Sequence, residues 1–218
     1  MRAYLTALAL GAASTLGAQS SSGFELRLSG FSMNADRSLA FASPTPTTKT
    51  APIRGVDFLI RGRFAGIAVR SYSSADFDKG TNIQPNITSA DARLLLFPQV
   101  FTVMVGAGRR ALWTELNKTS PNVYDIGIAG ISSTSNIGGS GVRTNIQAAV
   151  FVPAGKAKDK LKGGMEGEAS VSYVFPVVPL FVQVGYRTEV FTTKGSTGET
   201  PELVRGVKVG AGLLLGGR

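Results

Sequence analysis

The chain has 218 residues with neither cysteine nor histidine, and only 17% of its residues are charged. The two missing side chains exclude Ser-His-Asp and Cys-His catalysis, zinc sites of the usual nitrogen and sulfur type, and disulfide frameworks. A formal net charge of +9 is compatible with a nucleic acid, an anionic membrane surface or an acidic ligand as the partner.

The N-terminal segment has the features of a secretory signal peptide. Met1-Arg2 forms a short positive region, and residues 3–13 form an apolar stretch too short to span a membrane as a helix. Gly17-Ala18 supplies small residues for a cleavage site. We therefore predict a signal peptide over residues 1–18 and an exported domain over residues 19–218. The alternative is a short buried helix at the start of a soluble domain.

Beyond residue 20 the sequence alternates apolar and polar residues with a period of two, which is typical of β-strands. The alternating segments begin near residues 24, 56, 67, 90, 101, 123, 142, 166, 180 and 207. The clearest runs from Val142 to Val152, and the weakest from Val123 to Ile131. Many of them extend over roughly 10 to 14 residues, which exceeds the usual strand of a soluble protein and suits a strand that crosses a membrane.

The connections between these segments alternate in length. Short links are predicted at Ala65-Gly66, Pro98-Gln99, Ser132–Asn136 and Pro176–Pro179, and longer polar links over residues 34–53, 76–87, 110–122, 153–164 and 193–202. Short turns at one end and long loops at the other are typical of outer-membrane barrels. The predicted fold is all-β, an antiparallel up-and-down transmembrane β-barrel of about ten strands, with eight as the alternative.

Charged residues share the polar face of the predicted strands, with basic and acidic side chains in near balance. A narrow barrel interior has to pair such charges, and the planar fork of arginine suits carboxylates. Eight of the nine lysines fall in the longer predicted links, and Lys208 alone falls on a predicted strand. The predicted lumen network comprises Glu25, Arg27, Asp57, Arg61, Arg63, Arg70, Asp91, Arg93, Arg143, Glu166, Glu168, Arg187, Glu189 and Lys208.

The signal-like start, the alternating strands and the closing segment Val204–Leu215 together resemble the small outer-membrane β-barrel proteins of Gram-negative-type bacteria. The resemblance covers nearly all of the mature chain and concerns the pattern, without a specific motif. It implies an integral outer-membrane protein, with lipid against the apolar face and charges in the lumen. A secreted soluble β-barrel or sandwich is the alternative.

A run of lysines in one long link is the candidate for contact with anionic lipid. Lys156, Lys158, Lys160 and Lys162 would meet lipopolysaccharide phosphates around the barrel rim. The equal alternative is a solvated loop. Nucleic acid is not expected as a partner, because aromatic residues do not interleave the basic ones. We expect no cofactor, since the Gly106–Ala111 segment only partly matches a dinucleotide fingerprint. We also expect no metal site and no catalytic residue.

The leading functional hypothesis is a non-enzymatic, monomeric outer-membrane barrel whose role is structural or surface-interacting. A second hypothesis is a narrow passive pore for small solutes, favouring anions. A third is an exported soluble barrel that binds a ligand. Detergent dependence separates the third hypothesis from the other two, and single-channel conductance separates the first from the second.

Overall fold

The computed structural model describes residues 23–39, 44, 47–74, 87–98, 101–112, 122–195 and 198–216. The predicted signal peptide therefore lies outside the described residues. Ten strands follow one another along the chain: β1 (Phe24–Leu39), β2 (Thr47–Gly62), β3 (Ala65–Ser74), β4 (Ile87–Leu96), β5 (Thr102–Leu112), β6 (Asn122–Ile137), β7 (Val142–Pro153), β8 (Leu161–Val174), β9 (Leu180–Gly195) and β10 (Gly198–Gly216). A short 3-10 helix, Gly155–Asp159, lies between β7 and β8. Within the described ranges, no helix has the length and apolarity needed to cross a bilayer.

The ten strands form one closed antiparallel barrel in which each strand pairs with its neighbours in sequence. The first and last strands close it, with Leu28 opposite Leu213 and Met33 opposite Lys208. Closure satisfies the backbone donors and acceptors that an edge strand would expose. The predicted ten-stranded antiparallel barrel is confirmed, and the eight-stranded alternative is excluded.

The two faces of the barrel wall differ as the alternation predicts for an inverted barrel. Ile146, Val182 and Val209 are 37%, 46% and 52% exposed on the outside. Arg143 and Arg187 are 9% and 2% exposed and point into the lumen. A soluble barrel would reverse this arrangement, because its apolar side chains would meet in the interior.

The connections differ in detail from the prediction. Ser132–Asn136 continues strand β6 instead of forming a turn, and the turn lies at residues 138–141. Gly138 and Gly141 adopt φ values of 57° and 76°, which glycine accepts without a steric penalty. Ser132 and Thr134 belong to the strand because their side chains fit the polar inward face of the barrel. A run of small polar residues is therefore not a reliable sign of a turn here.

Several strands also extend beyond the predicted bounds at the long-loop end. β1 and β2 pair as far as Leu39 opposite Thr47, within the predicted link 34–53. β9 and β10 pair as far as Gly195 opposite Gly198, within the predicted link 193–202. The polar composition of these segments reflects strands that continue past the apolar outer band, and it does not mark loops.

Strand β6 presents its apolar residues on the face opposite to the one expected. Tyr124, Ile126 and Ile128 are buried in the lumen, whereas Val123 and Asp125 point outward. The register explains the difference, because Ile128 lies opposite Gly106 and Ile126 opposite Gly108, both on the inward face of β5. The weak alternation of this strand did not by itself distinguish the two faces.

Candidate functional site

The lumen contains three regions, each built from inward-facing positions of the alternating strands. A central network of charges fills the middle, a smaller arginine cluster lies towards the short turns, and an apolar layer lies towards the long loops. The central network comprises Arg70, Arg93, Arg110, Arg187 and Lys208 with Asp57, Asp91, Glu166, Glu168 and Glu189.

Glu166 is the acidic centre of the network. One of its oxygens accepts from Arg93, which reaches across the lumen from β4, and the other lies 3.1 Å from Arg187 Nη2. Arg70 Nη1 lies 3.8 Å from the same carboxylate. Glu166 is 4% exposed, so these cations replace the water that an ionised carboxylate would otherwise need.

Lys208 connects two carboxylates from different strands. Its Nζ lies 2.7 Å from Asp57 Oδ2 and 3.0 Å from Glu168 Oε1. The ammonium also lies 4.4 Å from the centre of the Phe31 ring, within the range of a cation–π contact. These contacts account for the one lysine that the sequence places on a strand and not in a link.

Glu189 links the network to its aromatic border. Arg187 donates to one oxygen of the Glu189 carboxylate. The Tyr72 hydroxyl lies 2.9 and 2.7 Å from Oε1 and Oε2 of the same carboxylate. Arg110 Nη2 donates to Asp91 over 3.2 Å, and its guanidinium lies 5.0 Å from the centre of the Phe151 ring. β3 and β9 are not neighbours in the barrel, so the Tyr72–Glu189 contact spans the lumen.

Towards the short turns, a second group gathers around Glu25 and is called the arginine cluster below. Arg61 Nη2 and Arg143 Nη1 lie 2.8 and 3.1 Å from Glu25 Oε2. Arg27 donates to the neutral amide oxygen of Gln183, and its guanidinium lies 4.4 Å from the centre of the Phe181 ring. This cluster therefore sets three guanidinium groups against one carboxylate.

A cavity of about 120 Å³ separates the arginine cluster from the central network. Its charged walls include Arg27, Arg61 and Arg93, and its opposite wall carries small polar side chains such as Asn145 and Ser172. At about 30 Å³ for each water, this volume corresponds to roughly four waters.

The lumen half beneath the long loops is apolar. The layer comprises Phe31, Met33, Ile53, Ile126, Phe151 and Phe191, together with other buried side chains that include Tyr72 and Tyr124. The Phe151 and Phe191 rings stack with their centres 5.8 Å apart. Beyond this layer, Arg37 and Glu202 form a buried pair with Nη2 and Oε2 2.7 Å apart.

The structure brings thirteen of the fourteen predicted lumen residues into these two charged groups, and Arg63 is the exception. Arg63 is exposed in the short turn after β2, and its guanidinium lies 5.4 Å from the centre of the Phe64 ring. Strand β2 ends at Gly62, so the alternation no longer determines the direction of the next side chain.

Five buried lumen residues with polar contacts were not predicted from the sequence. Arg110 lies in the predicted link 110–122 but belongs to β5, where it continues the inward parity of Gly106 and Gly108. Tyr72 and Gln183 occupy inward positions but carry no charge. Arg37 and Glu202 fell in predicted links, although Glu202 keeps the parity of Lys208.

The predicted lipid-contact lysines lie at one rim of the barrel. Lys156 and Lys158 belong to the short 3-10 helix and are exposed, as is Lys160. Lys162 lies on β8 and pairs with Glu199, its Nζ 2.8 Å from Oε2. Lys194 Nζ donates to the carbonyl of Lys158 over 2.8 Å, which fixes the helix against β9.

The sequence matches no protein-family model and no curated protein. Among solved structures, the chain is similar to the outer membrane protease OmpT from Escherichia coli, at 8% identity and a TM-score of 0.42. The match covers 92% of this chain and 99% of that one. This similarity carries no argument about activity.

Proposed function

We propose that the chain is an integral outer-membrane β-barrel protein without enzymatic activity, whose lumen is closed and whose role is structural or surface-interacting. The observation that carries the proposal is the inverted wall of the barrel. Val182, Val184 and Val209 expose about half of their surface on the outside, while Arg187, Lys208 and Glu166 are buried inside. Exposing such a band to water is unfavourable, and acyl chains remove that penalty.

A closed lumen follows from the contacts that cross it. Arg93 reaches Glu166, Arg110 approaches Glu189, and Arg143 reaches Glu25, each from a strand that is not a neighbour of its partner. The mainly apolar layer, which includes Phe31, Phe151 and Phe191, lies between these contacts and the long loops and is unfavourable for a hydrated ion. We therefore expect no steady conductance from the protein in planar bilayers.

The cavity in the short-turn half favours a narrow pore as the second candidate. Steady single-channel openings that change size in Arg61→Ala or Arg143→Ala would support that candidate and contradict the closed lumen. Silent bilayers, with insertion verified by protease protection, would support the closed barrel.

The absence of enzymatic activity is supported by the state of the lumen carboxylates. Glu166 and Glu168 share one face of β8, as paired catalytic acids do, yet both are held by arginines. Asp57 and Asp91 are likewise each bonded to two cations. A carboxylate neutralised in this way is a poor general base, because its partners oppose protonation.

The exposed lysines of the rim fit anionic lipid headgroups such as lipopolysaccharide phosphates. Lys156 and Lys158 lie on the short 3-10 helix, which contacts β9, and Lys160 directly follows that helix. A monomer inserted with this rim at the headgroup level would place them next to phosphate groups.

Membrane fractionation followed by gel migration with and without boiling tests the proposal. We expect the protein in the outer-membrane fraction, with a folded form that migrates differently before boiling. A monodisperse protein in detergent-free buffer would contradict the proposal and favour a soluble ligand-binding barrel.

A further inference from the structure

We propose that the cavity between the arginine cluster and the central network is a binding site for a small oxyanion, a phosphate or a carboxylate. The site goes beyond the closed, structural barrel proposed above. It depends on the folded lumen and not on membrane insertion, so its failure would leave the proposed function untouched.

The distribution of charge within the lumen carries the first part of the argument. In the central network, five cations face five carboxylates, so the charges balance there. In the arginine cluster, Arg61 and Arg143 both contact Glu25, and Arg27 donates to the neutral amide of Gln183. The walls of the cavity carry six cations and four carboxylates, an excess of two positive charges.

Such an excess is unfavourable in a lumen shielded from water. Buried charges are retained where a counter-charge compensates them, and the cations on these walls outnumber the carboxylates. Arg27 has the neutral amide of Gln183 as its hydrogen-bond partner. A bound anion provides the missing charge at the position where the excess lies.

Unused hydrogen-bond donors carry the second part of the argument. Among the described residues, Arg93 Nη2 and Arg27 Nε have no acceptor, although both residues line the cavity. Arg93 is 4% exposed, so this nitrogen is held away from bulk solvent. Guanidinium donors that converge from two sides of a cavity match the several acceptor oxygens of a phosphate or carboxylate.

The size and the walls of the cavity suit a small oxyanion. Its volume of about 120 Å³, that of roughly four waters, fits a phosphate or a short dicarboxylate. The hydroxyl of Ser172 and the amide of Asn145 on the opposite wall donate hydrogen bonds to anions. Arg61 retains 17% side-chain exposure next to the turn at Pro98, which places the site within reach of the short-turn end.

Two variants test the site, one by removing a positive charge and the other by adding a negative charge. Arg27→Gln removes one of the excess charges. Ser172→Asp adds a carboxylate directly opposite Arg143 in the pairing of β7 and β8, and thus supplies the anion from the chain itself. Arg109→Gln is the matched control, since Arg109 pairs with Asp125 on the outer face, far from the lumen.

The experiment is calorimetric titration of the full chain, refolded in detergent, with inorganic phosphate and separately with succinate, each against chloride at equal ionic strength. We expect saturable binding of one equivalent, weakened at least tenfold in Arg27→Gln and in Ser172→Asp and unchanged in Arg109→Gln. The anion that binds more tightly shows whether the site prefers a phosphate or a carboxylate. If Arg27→Gln does not fold, the anion affinity of Ser172→Asp alone tests the proposal.

The proposal is overturned if neither anion binds more tightly than chloride. It is also overturned if folded Ser172→Asp binds as the unmodified chain does, or if Arg109→Gln loses affinity to the same extent.

Discussion

The two halves of the lumen are closed in different ways by the same barrel wall. Towards the long loops, aromatic and aliphatic side chains such as Phe151 and Phe191 pack against one another. Towards the short turns, the interior holds arginines and carboxylates around a cavity. One half excludes water by packing, and the other neutralises buried charge by pairing.

A charged lumen is expected to be more sensitive than an apolar one to the loss of a single partner. A pair of buried charges contributes little to stability compared with apolar packing, but losing one member leaves the other uncompensated. An apolar layer instead loses contacts in proportion to the atoms removed. The two halves should therefore respond differently to conservative substitutions.

The largest effect is expected for Glu166→Gln in the charged half. This change keeps the shape of the side chain but leaves Arg93 and Arg187 without their shared carboxylate. We expect a loss of about 3–5 kcal/mol in the free energy of unfolding. Urea unfolding in detergent micelles, followed by far-ultraviolet circular dichroism, measures it.

Asp125→Asn is the matched control, because Asp125 belongs to an exposed pair with Arg109. This variant should unfold at nearly the same urea concentration as the unmodified chain. Equal losses in the two variants would show that the lumen charges are as well solvated as the surface pair.

Phe191→Ala tests the apolar half. Phe191 is 1% exposed and stacks on Phe151, so truncation leaves a void beneath the long loops. We expect a loss of about 3 kcal/mol, in the range found for buried aromatic residues. Phe191→Leu should recover most of it, since it restores much of the volume. An unfolding midpoint for Phe191→Ala that matches the unmodified chain would contradict a packed layer.

Val209→Arg extends the comparison to the outer face. Val209 neighbours the buried Lys208 but points outward with 52% exposure. In lipid vesicles the new charge should destabilise the protein by about 2–4 kcal/mol, the range for arginine near the bilayer midplane. Arg205 already lies exposed on the same strand nearer the long loops, so Arg205→Lys should change little. A neutral effect of Val209→Arg in lipid would contradict contact with acyl chains.

The smallest effect is expected at the rim. Replacing Lys156, Lys158 and Lys160 together by glutamine should reduce salt-sensitive association with vesicles that contain anionic lipid. Lys162→Gln should have less effect, because Lys162 already pairs with Glu199. Vesicle flotation at two salt concentrations measures the difference, and unchanged flotation of the triple variant would identify a solvated helix.

The sequence predicted the barrel because the alternation of strands such as Val142–Val152 separates two faces. The partners inside the lumen were not predictable, since Arg93 and Glu166 meet across the barrel from strands far apart in sequence. The inward direction of Ile126 depends on register with β5, which alternation alone does not fix. The inward position of Arg110 could have been predicted, because the alternation of its own strand already places it on the lumen face.

The central claim is that the apolar outer face of the barrel contacts lipid. The chain contains no cysteine, so single cysteines at Val171, Val182 and Val209 accept a nitroxide spin label without background. In lipid vesicles, labels at these three positions should collide with dissolved oxygen and not with a water-soluble nickel complex, whereas a label at Ser172 should not show this preference for oxygen. Ready access of the nickel complex to all three outward positions would contradict the account.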